Sequence, residues 1–187
     1  REYFSMDVFD IDEVADLVIQ PSSKDQISDA LKILSKSDYE IIPRGGGMSY
    51  TGGYTPSTKR SAIIDTSLLN QIIEINPDDM YITVEAGCTW KKIYEALKPM
   101  GLRLPFFGTN SGSMATVGGG LSNGALFFGT GKYGSAADNV LGMEIIIADG
   151  TLIKTGQNAF ADAKPHHRTY GPAVSYTHLT LPTTLSV

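Results

Sequence analysis

Cysteine is nearly absent from this sequence: Cys88 is the sole example in 187 residues, and there are only three histidines. A lone cysteine excludes an intrachain disulfide and the paired-cysteine metal motifs; no metal site is assigned. It fits a reducing compartment, and a cytoplasmic location is the expectation. No apolar run approaches the ~18 residues that a membrane-spanning helix needs, so the chain is not read as integral to a membrane. Basic residues are not grouped either. Fifteen are scattered through a chain of net charge −5, whereas a nucleic-acid partner calls for a concentrated basic footprint. The start, Arg1-Glu2-Tyr3-Phe4, lacks the apolar core of a signal peptide and reads like the middle of a longer chain.

What the sequence does have is glycine, 20 residues concentrated between Gly45 and Gly134. Glycine is entropically costly, so such clusters mark sharp turns or places where backbone approaches something closely. At 42% hydrophobic and 19% charged, a chain of this length buries a core without a disulfide or metal staple.

Along the chain, Pro21-Ser22-Ser23 stops whatever precedes it, and Ser23 to Gln26 has the form of a capping box. Ile27, Ala30, Leu31 and Leu34 repeat at helical spacing, which predicts a helix over about residues 24–36. Tyr39 to Ile42 reads as a short strand ending at Pro43. Ser61 to Asp65, Ile72 to Ile75 and Tyr81 to Glu85 read as further strands, the last two joined through Asn76-Pro77-Asp78-Asp79. Thr89 is placed to cap a second helix with Trp90, Ile93, Tyr94 and Leu97 on its buried face, ended by Pro99 and Gly101. Met143 to Ala148 and Leu152 to Lys154 flank Asp149-Gly150, a hairpin turn. Crossover and hairpin connections are mixed, so the fold class is α+β.

Two glycine-rich loops carry the chemistry. The first, Pro43-Arg44-Gly45-Gly46-Gly47-Met48-Ser49, directly follows a strand. Consecutive residues without Cβ let successive N–H groups turn toward one point, a nest for phosphate oxygens; Ser49 and Thr51 add hydroxyls. It is neither a Walker loop nor the Rossmann fingerprint, because the spacings are wrong. Alone, it is equally readable as a solvated turn. The second is Thr116-Val117-Gly118-Gly119-Gly120-Leu121-Ser122-Asn123-Gly124. Here Thr116 can cap a short helix whose early glycines expose N–H groups to an anion, or the glycines can serve close helix-to-sheet packing. Two cradles at separated places suit a long ligand with a pyrophosphate in its middle. Cys88, at a strand end, reads as a buried small hydrophobe.

The order of four blocks resembles the FAD-binding domain shared by vanillyl-alcohol oxidase, p-cresol methylhydroxylase and the FAD-linked 2-hydroxy-acid dehydrogenases. The blocks are Pro43 to Ser49; Val84-Glu85-Ala86-Gly87-Cys88-Thr89-Trp90; Ala115 to Gly120; and Tyr133-Gly134 through Asp138-Asn139-Val140-Leu141-Gly142 to Ala148-Asp149-Gly150. The resemblance runs from about Pro21 to about Ala173. It implies a two-lobed domain of the p-cresol methylhydroxylase type, mixed sheets flanked by helices, over residues 21–173 and incomplete at its C-terminal end. Residues 1–20 become a lead-in segment and 174–187 a non-native tail.

The same resemblance assigns roles. Pro43 and Arg44 lead into a loop in which Gly45, Gly46, Gly47, Met48 and Ser49 wrap the FAD pyrophosphate. Asn110, Ser111, Gly112, Ser113, Met114, Ala115 and Thr116 line the flavin and ribityl region. Gly118, Gly119, Gly120, Leu121, Ser122 and Asn123 complete the phosphate cradle, and Ile146 and Ile147 lie near the adenine. Met48 stands where some relatives attach flavin through a histidine, which implies non-covalent FAD. The Lys164-to-Ala173 segment resembles the hydroxy-acid branch, so the implied reaction is hydride removal from a 2-hydroxy acid such as D-lactate or glycolate. An aryl-alcohol or alkylphenol oxidase is the alternative within the enzymes, and an FAD-binding fragment without turnover is the alternative outside them. The implied partners are a small-molecule substrate, a missing C-terminal substrate domain and an electron acceptor, either a protein or a quinone. No catalytic residue is assigned; the adjacent His166 and His167 read as solvated.

Overall fold

The computed structural model describes residues 1–7, 13–105 and 111–159. Helix α1 (Glu2–Ser5) precedes strand β1 (Leu17–Ile19), helix α2 (Lys24–Leu34), strand β2 (Glu40–Arg44) and strand β3 (Ser61–Asp65). Strands β4 (Ile72–Asn76) and β5 (Tyr81–Val84), helices α3 (Trp90–Leu97), α4 (Val117–Ser122) and α5 (Thr130–Tyr133), and strands β6 (Glu144–Ile146) and β7 (Leu152–Lys154) follow. The mixture bears out the α+β class.

Three strands make a parallel sheet in the order β1-β3-β2, so the last made lies in the middle. All five residues of β3 are buried. Alternation sends Ala62 and Ile64 to one face, against Leu31 and Leu34 of α2, and Ile63 to the other, against Ile42, Tyr54 and Ala15. The sheet therefore has a core on both sides, as parallel sheets require. Strand β2 continues through Pro43 to Arg44 rather than ending at the proline. Arg44 faces β3, its carbonyl accepting from the Thr66 N–H, so Pro43 faces outward from an edge strand and costs no ladder hydrogen bond. Strand β1 lies inside the segment expected to be lead-in, so Leu17–Ile19 belong to the sheet.

Helix α2 stops at Leu34, two residues short of the expected end, where Ser35 caps it. Its capping box is half-formed. Ser23 Oγ accepts from the Gln26 N–H, but Gln26 Oε1 reaches past the cap to the Ser22 N–H at 2.8 Å. The second core gathers around α3, where Trp90, Ile93 and Leu97 pack with Cys88, Phe127 and Ala136. Tyr94 does not share that face. It is 40% exposed, with the Lys98 ammonium 5.5 Å above its ring, the compromise of a side chain at the edge of an apolar stripe. The antiparallel pair β4–β5 turns at Met80, φ 56°, and the Asp79 N–H donates to Asn76 Oδ1. The β6–β7 hairpin forms as expected and rests on α2 through Ile146, through the Ser28 hydroxyl on the Gly150 carbonyl, and through Lys24 on Glu144. Burial pushes the Glu144 carboxyl up, but Lys24 and Lys154 outweigh it and hold the group below the usual carboxylate value.

Candidate functional site

At the carboxyl ends of β2 and β3 opens a cleft of about 390 Å³. Open parallel sheets hold ligands at that end, and the volume suits a small-molecule site. Arg44 and Asp65 are partners across β2 and β3 and both line the cleft.

The first glycine loop leaves β2 directly above this floor. Tyr54, buried behind it, directs its hydroxyl at the carbonyl oxygens of Gly47 and Ser49, at 2.8 and 3.3 Å. Burial raises the pKa of this phenol, the Asp7 charge adds to the effect and the Arg44 charge opposes it. With the carbonyls engaged, the N–H groups of Gly45, Gly46, Gly47, Met48 and Ser49 meet no acceptor among the described residues. Consecutive donors without an acceptor among the described residues, with Gly47 in the left-handed region at φ 64°, suit a nest. Space explains the glycines: a Cβ on Gly45 would overlap Thr116 Oγ1, and one on Gly46 would overlap the Met114 carbonyl oxygen. The two glycine-rich regions thus meet in space although about 70 residues separate them in sequence.

The second region is built differently from the expectation. Thr116 does cap α4, accepting from the Gly119 N–H at 3.2 Å. The other early donors are taken: Val117 N–H by the Cys88 carbonyl, Gly118 N–H by Ala86, and Gly120 N–H by Thr116. Gly118, Gly119 and Gly120 therefore offer no open anion cradle. Their glycines serve packing, since a Cβ on Gly118 would lie 2.9 Å from the Ala86 Cβ and one on Gly120 would lie 3.1 Å from the Phe127 ring. Leu121 packs against the α3 core, while Ser122 and Asn123 are exposed at the far end of α4. What this region gives the cleft is Met114 and Thr116. They are held by a turn in which the Met114 and Ala115 N–H groups donate to Ser111, and by backbone bonds from Trp90 to Ala115 and from Lys91 to Gly112. Ser113 is exposed on that turn.

Ile146 packs with the α2 core and Ile147 is 38% exposed; neither lines the cleft. Asn110, Lys164, His166, His167 and the 174–187 tail lie outside the described residues. Several lining residues escaped sequence reasoning: Tyr3, Phe4, Gln20, Asp65, Asn70 and Lys92. Asp65 carried a signal, a carboxylate directly after the apolar run Ala62-Ile63-Ile64 at the carboxyl end of β3. Lys92 brings a cation to the cleft, its Nζ donating to the Asn70 carbonyl at 2.7 Å.

Cys88 is fully buried beneath α3. Burial pushes its thiol pKa up, the Lys92 charge draws it down and the Glu85 charge adds to the rise. Thiol-specific disulfide reagents are expected to modify the native chain on the order of a hundredfold more slowly than the urea-unfolded chain. Equal rates would show that the α3 core opens readily.

Residues 15–156 match the family model described as FAD binding domain. The mitochondrial D-lactate dehydrogenase [cytochrome] of Kluyveromyces lactis is 31% identical over 155 residues, 82% of this chain and 26% of that protein. The glycolate oxidase subunit GlcD of Bacillus subtilis is 34% identical over 143 residues, 75% of this chain and 30% of that protein. Among solved structures, berberine bridge enzyme bound to (S)-reticuline superposes with a TM-score of 0.64 at 31% identity, covering 73% of this chain and 27% of that one. Substrate-bound p-cresol methylhydroxylase superposes with a TM-score of 0.70 over 86% of this chain and 32% of that one; at 19% identity it shows the shared fold. The chain spans between about a quarter and a third of the length of these proteins.

Proposed function

The chain belongs to the FAD binding domain family, and from that membership we propose that it is the flavin-holding part of an oxidoreductase that takes a hydride from a 2-hydroxy acid. The observation that carries the substrate class is the pairing of a D-lactate dehydrogenase and a glycolate oxidase subunit, two 2-hydroxy-acid enzymes by name, each matched over three-quarters or more of the chain. The substrate-holding groups then belong to the part of such proteins that this chain does not match, and the electron acceptor, a protein or a quinone, to their partners.

The cleft suits FAD on its own terms. Five unpaired N–H groups in the first loop, from Gly45 to Ser49, are placed to hold pyrophosphate oxygens. They matter in a chain of net charge −5, because directed dipoles must supply what bulk attraction does not. The turn from Ser111 to Thr116 borders the same cleft and is placed to line the flavin and ribityl portion. Bound FAD supplies the hydride acceptor, and the protein's part is to hold and orient it. Met48 in the first loop offers a thioether, which forms no bond to the flavin ring, and Cys88 is buried; both support a cofactor held non-covalently. The cytoplasmic location stays within this proposal. The Kluyveromyces relative is mitochondrial by name, and imaging a tagged full-length protein decides the compartment.

The test is a visible spectrum of the purified chain after incubation with FAD and removal of the excess. A retained flavin band that passes into the filtrate on denaturation is the expected result. In a full-length protein carrying this domain, D-lactate or glycolate should then bleach the band. A folded chain that retains no flavin would refute the cofactor assignment. A retained band that no 2-hydroxy acid bleaches in the full-length protein would refute the substrate class.

A further inference from the structure

Two charged side chains at the cleft floor each carry a buried polar atom with no partner. Arg44 is 7% exposed and Asp65 1% exposed. They are partners across parallel strands, opposite in charge, and point to the same face. Yet among the described residues no ion pair joins them. Asp65 Oδ2 is fully engaged, accepting from Gln20 Nε2 at 2.8 Å and from the Ser67 hydroxyl. Asp65 Oδ1 is buried with no partner. The Arg44 guanidinium lies between the rings of Tyr3, Phe4 and Tyr54, each 5.4 to 5.5 Å away; its Nη1 donates to the Gly45 carbonyl at 3.5 Å, and its Nε is buried with no partner. Leaving such atoms unsatisfied is costly, and for charged groups the cost is largest.

We propose that this pair reads sugar hydroxyls of the bound ligand, with Asp65 Oδ1 accepting and Arg44 Nε donating. The chemistry of the two atoms narrows the choice. A phosphate oxygen only accepts, so it would satisfy Arg44 and face the Asp65 charge. An ammonium only donates, and would leave Arg44 unpaired beside another cation. A hydroxyl both donates and accepts, so a polyhydroxyl edge satisfies both atoms at once. The division of labour follows: unpaired N–H groups of the loop for phosphate, the Arg44–Asp65 floor for hydroxyls. Because this inference rests on reading the cleft as the FAD site, the hydroxyls come from either the ribityl chain or the adenosine ribose.

The experiment is a binding titration of the chain and of its Asp65→Asn variant with FAD, riboflavin and ADP. In Asp65→Asn the amide oxygen retains the bonds from Gln20 and Ser67 and the NH₂ turns to the cleft, replacing an acceptor by a donor. FAD affinity is expected to fall about tenfold or more. A parallel loss for riboflavin but not ADP assigns the ribityl hydroxyls, and the reverse assigns the ribose. A comparison that needs no variant sets riboflavin against lumiflavin, and ADP against its 2′,3′-dideoxy form, on the unaltered chain. At least one pair should differ by about tenfold. The proposal is overturned if Asp65→Asn binds FAD within about twofold of the unaltered chain. It is equally overturned, should the variant fail to fold, if neither ligand pair is told apart. If the unaltered chain binds none of these ligands, the FAD reading falls and takes this inference with it; FAD bound equally by both forms removes only the hydroxyl assignment.

Discussion

Replacing Gly46 by valine is expected to weaken FAD binding severely while leaving most of the secondary structure in place. A Cβ at Gly46 would overlap the Met114 carbonyl oxygen, with the carbonyl carbon at 2.7 Å and Ala115 Cα at 3.2 Å. All three are backbone atoms, so no side chain can swing aside. Either the first loop lifts off the Met114–Thr116 turn or that turn leaves α3, to which it is tied by the Trp90 and Lys91 N–H groups. Overpacking of this kind costs about 1–3 kcal/mol. The larger loss is geometric, because the unpaired N–H groups of Gly45 to Ser49 would be displaced from the cleft. A drop in FAD affinity of about a hundredfold or more is expected, equivalent to ~2.7 kcal/mol. Flavin fluorescence titration measures it, and far-ultraviolet circular dichroism checks the fold. Gly131→Ala is the control: a Cβ there meets nothing within 4 Å, and FAD affinity should not change. Wild-type affinity in Gly46→Val would show that the loop does not hold the cofactor.

The second large effect is expected from Trp90→Ala. Trp90 is 7% exposed, and its ring meets Phe127 edge-on, with centroids 4.8 Å apart. Truncating a buried aromatic costs about 3–5 kcal/mol, a large share of the ~5–15 kcal/mol by which a domain is stable. The loss should concentrate in one place. Helix α4 contains Gly118, Gly119 and Gly120, each roughly 1 kcal/mol less favourable in a helix than alanine, so the helix exists because it is packed. Gly120 lies against the Trp90 and Phe127 rings. Urea unfolding should show the lower stability, and amide exchange should accelerate first at α4 and the turn it follows. Uniform acceleration across the parallel sheet as well would contradict the view that α4 is held mainly by the α3 core.

Much of the fold was legible because its elements agree locally. Ser23 and Thr89 are good caps before apolar stripes, Asp149-Gly150 is a hairpin turn, and β3 is a short apolar run with a sharp end. Pro43 misled because proline argues against a strand unless the strand lies at an edge, and edge position is a tertiary fact. The first loop was legible because it follows a strand directly. The second was only half legible, since triple glycine before a small helix looks the same whether its N–H groups face a ligand or neighbouring carbonyls. The distinction depends on where Ala86 and Cys88 place their oxygens. Arg44 and Asp65 could be seen as charged strand ends, but their pairing is a matter of register, and Tyr3 and Phe4 reach the cleft only through the path of the chain.

The central position of β3 has a consequence for synthesis. Neither β1 nor β2 has a neighbour to pair with until β3 is available. On a ribosome adding roughly 5–20 residues per second, the stretch from Gln20 to Arg60 takes about 2 to 8 s to emerge. Through that interval Ile19, and from its midpoint Ile41 and Ile42, are open to chaperones or to other nascent chains, with only the apolar stripe of α2 beside them. A polypeptide released before Asp65 would keep them exposed and become a substrate for proteolysis. The whole N-terminal third of the domain thus waits on one five-residue strand.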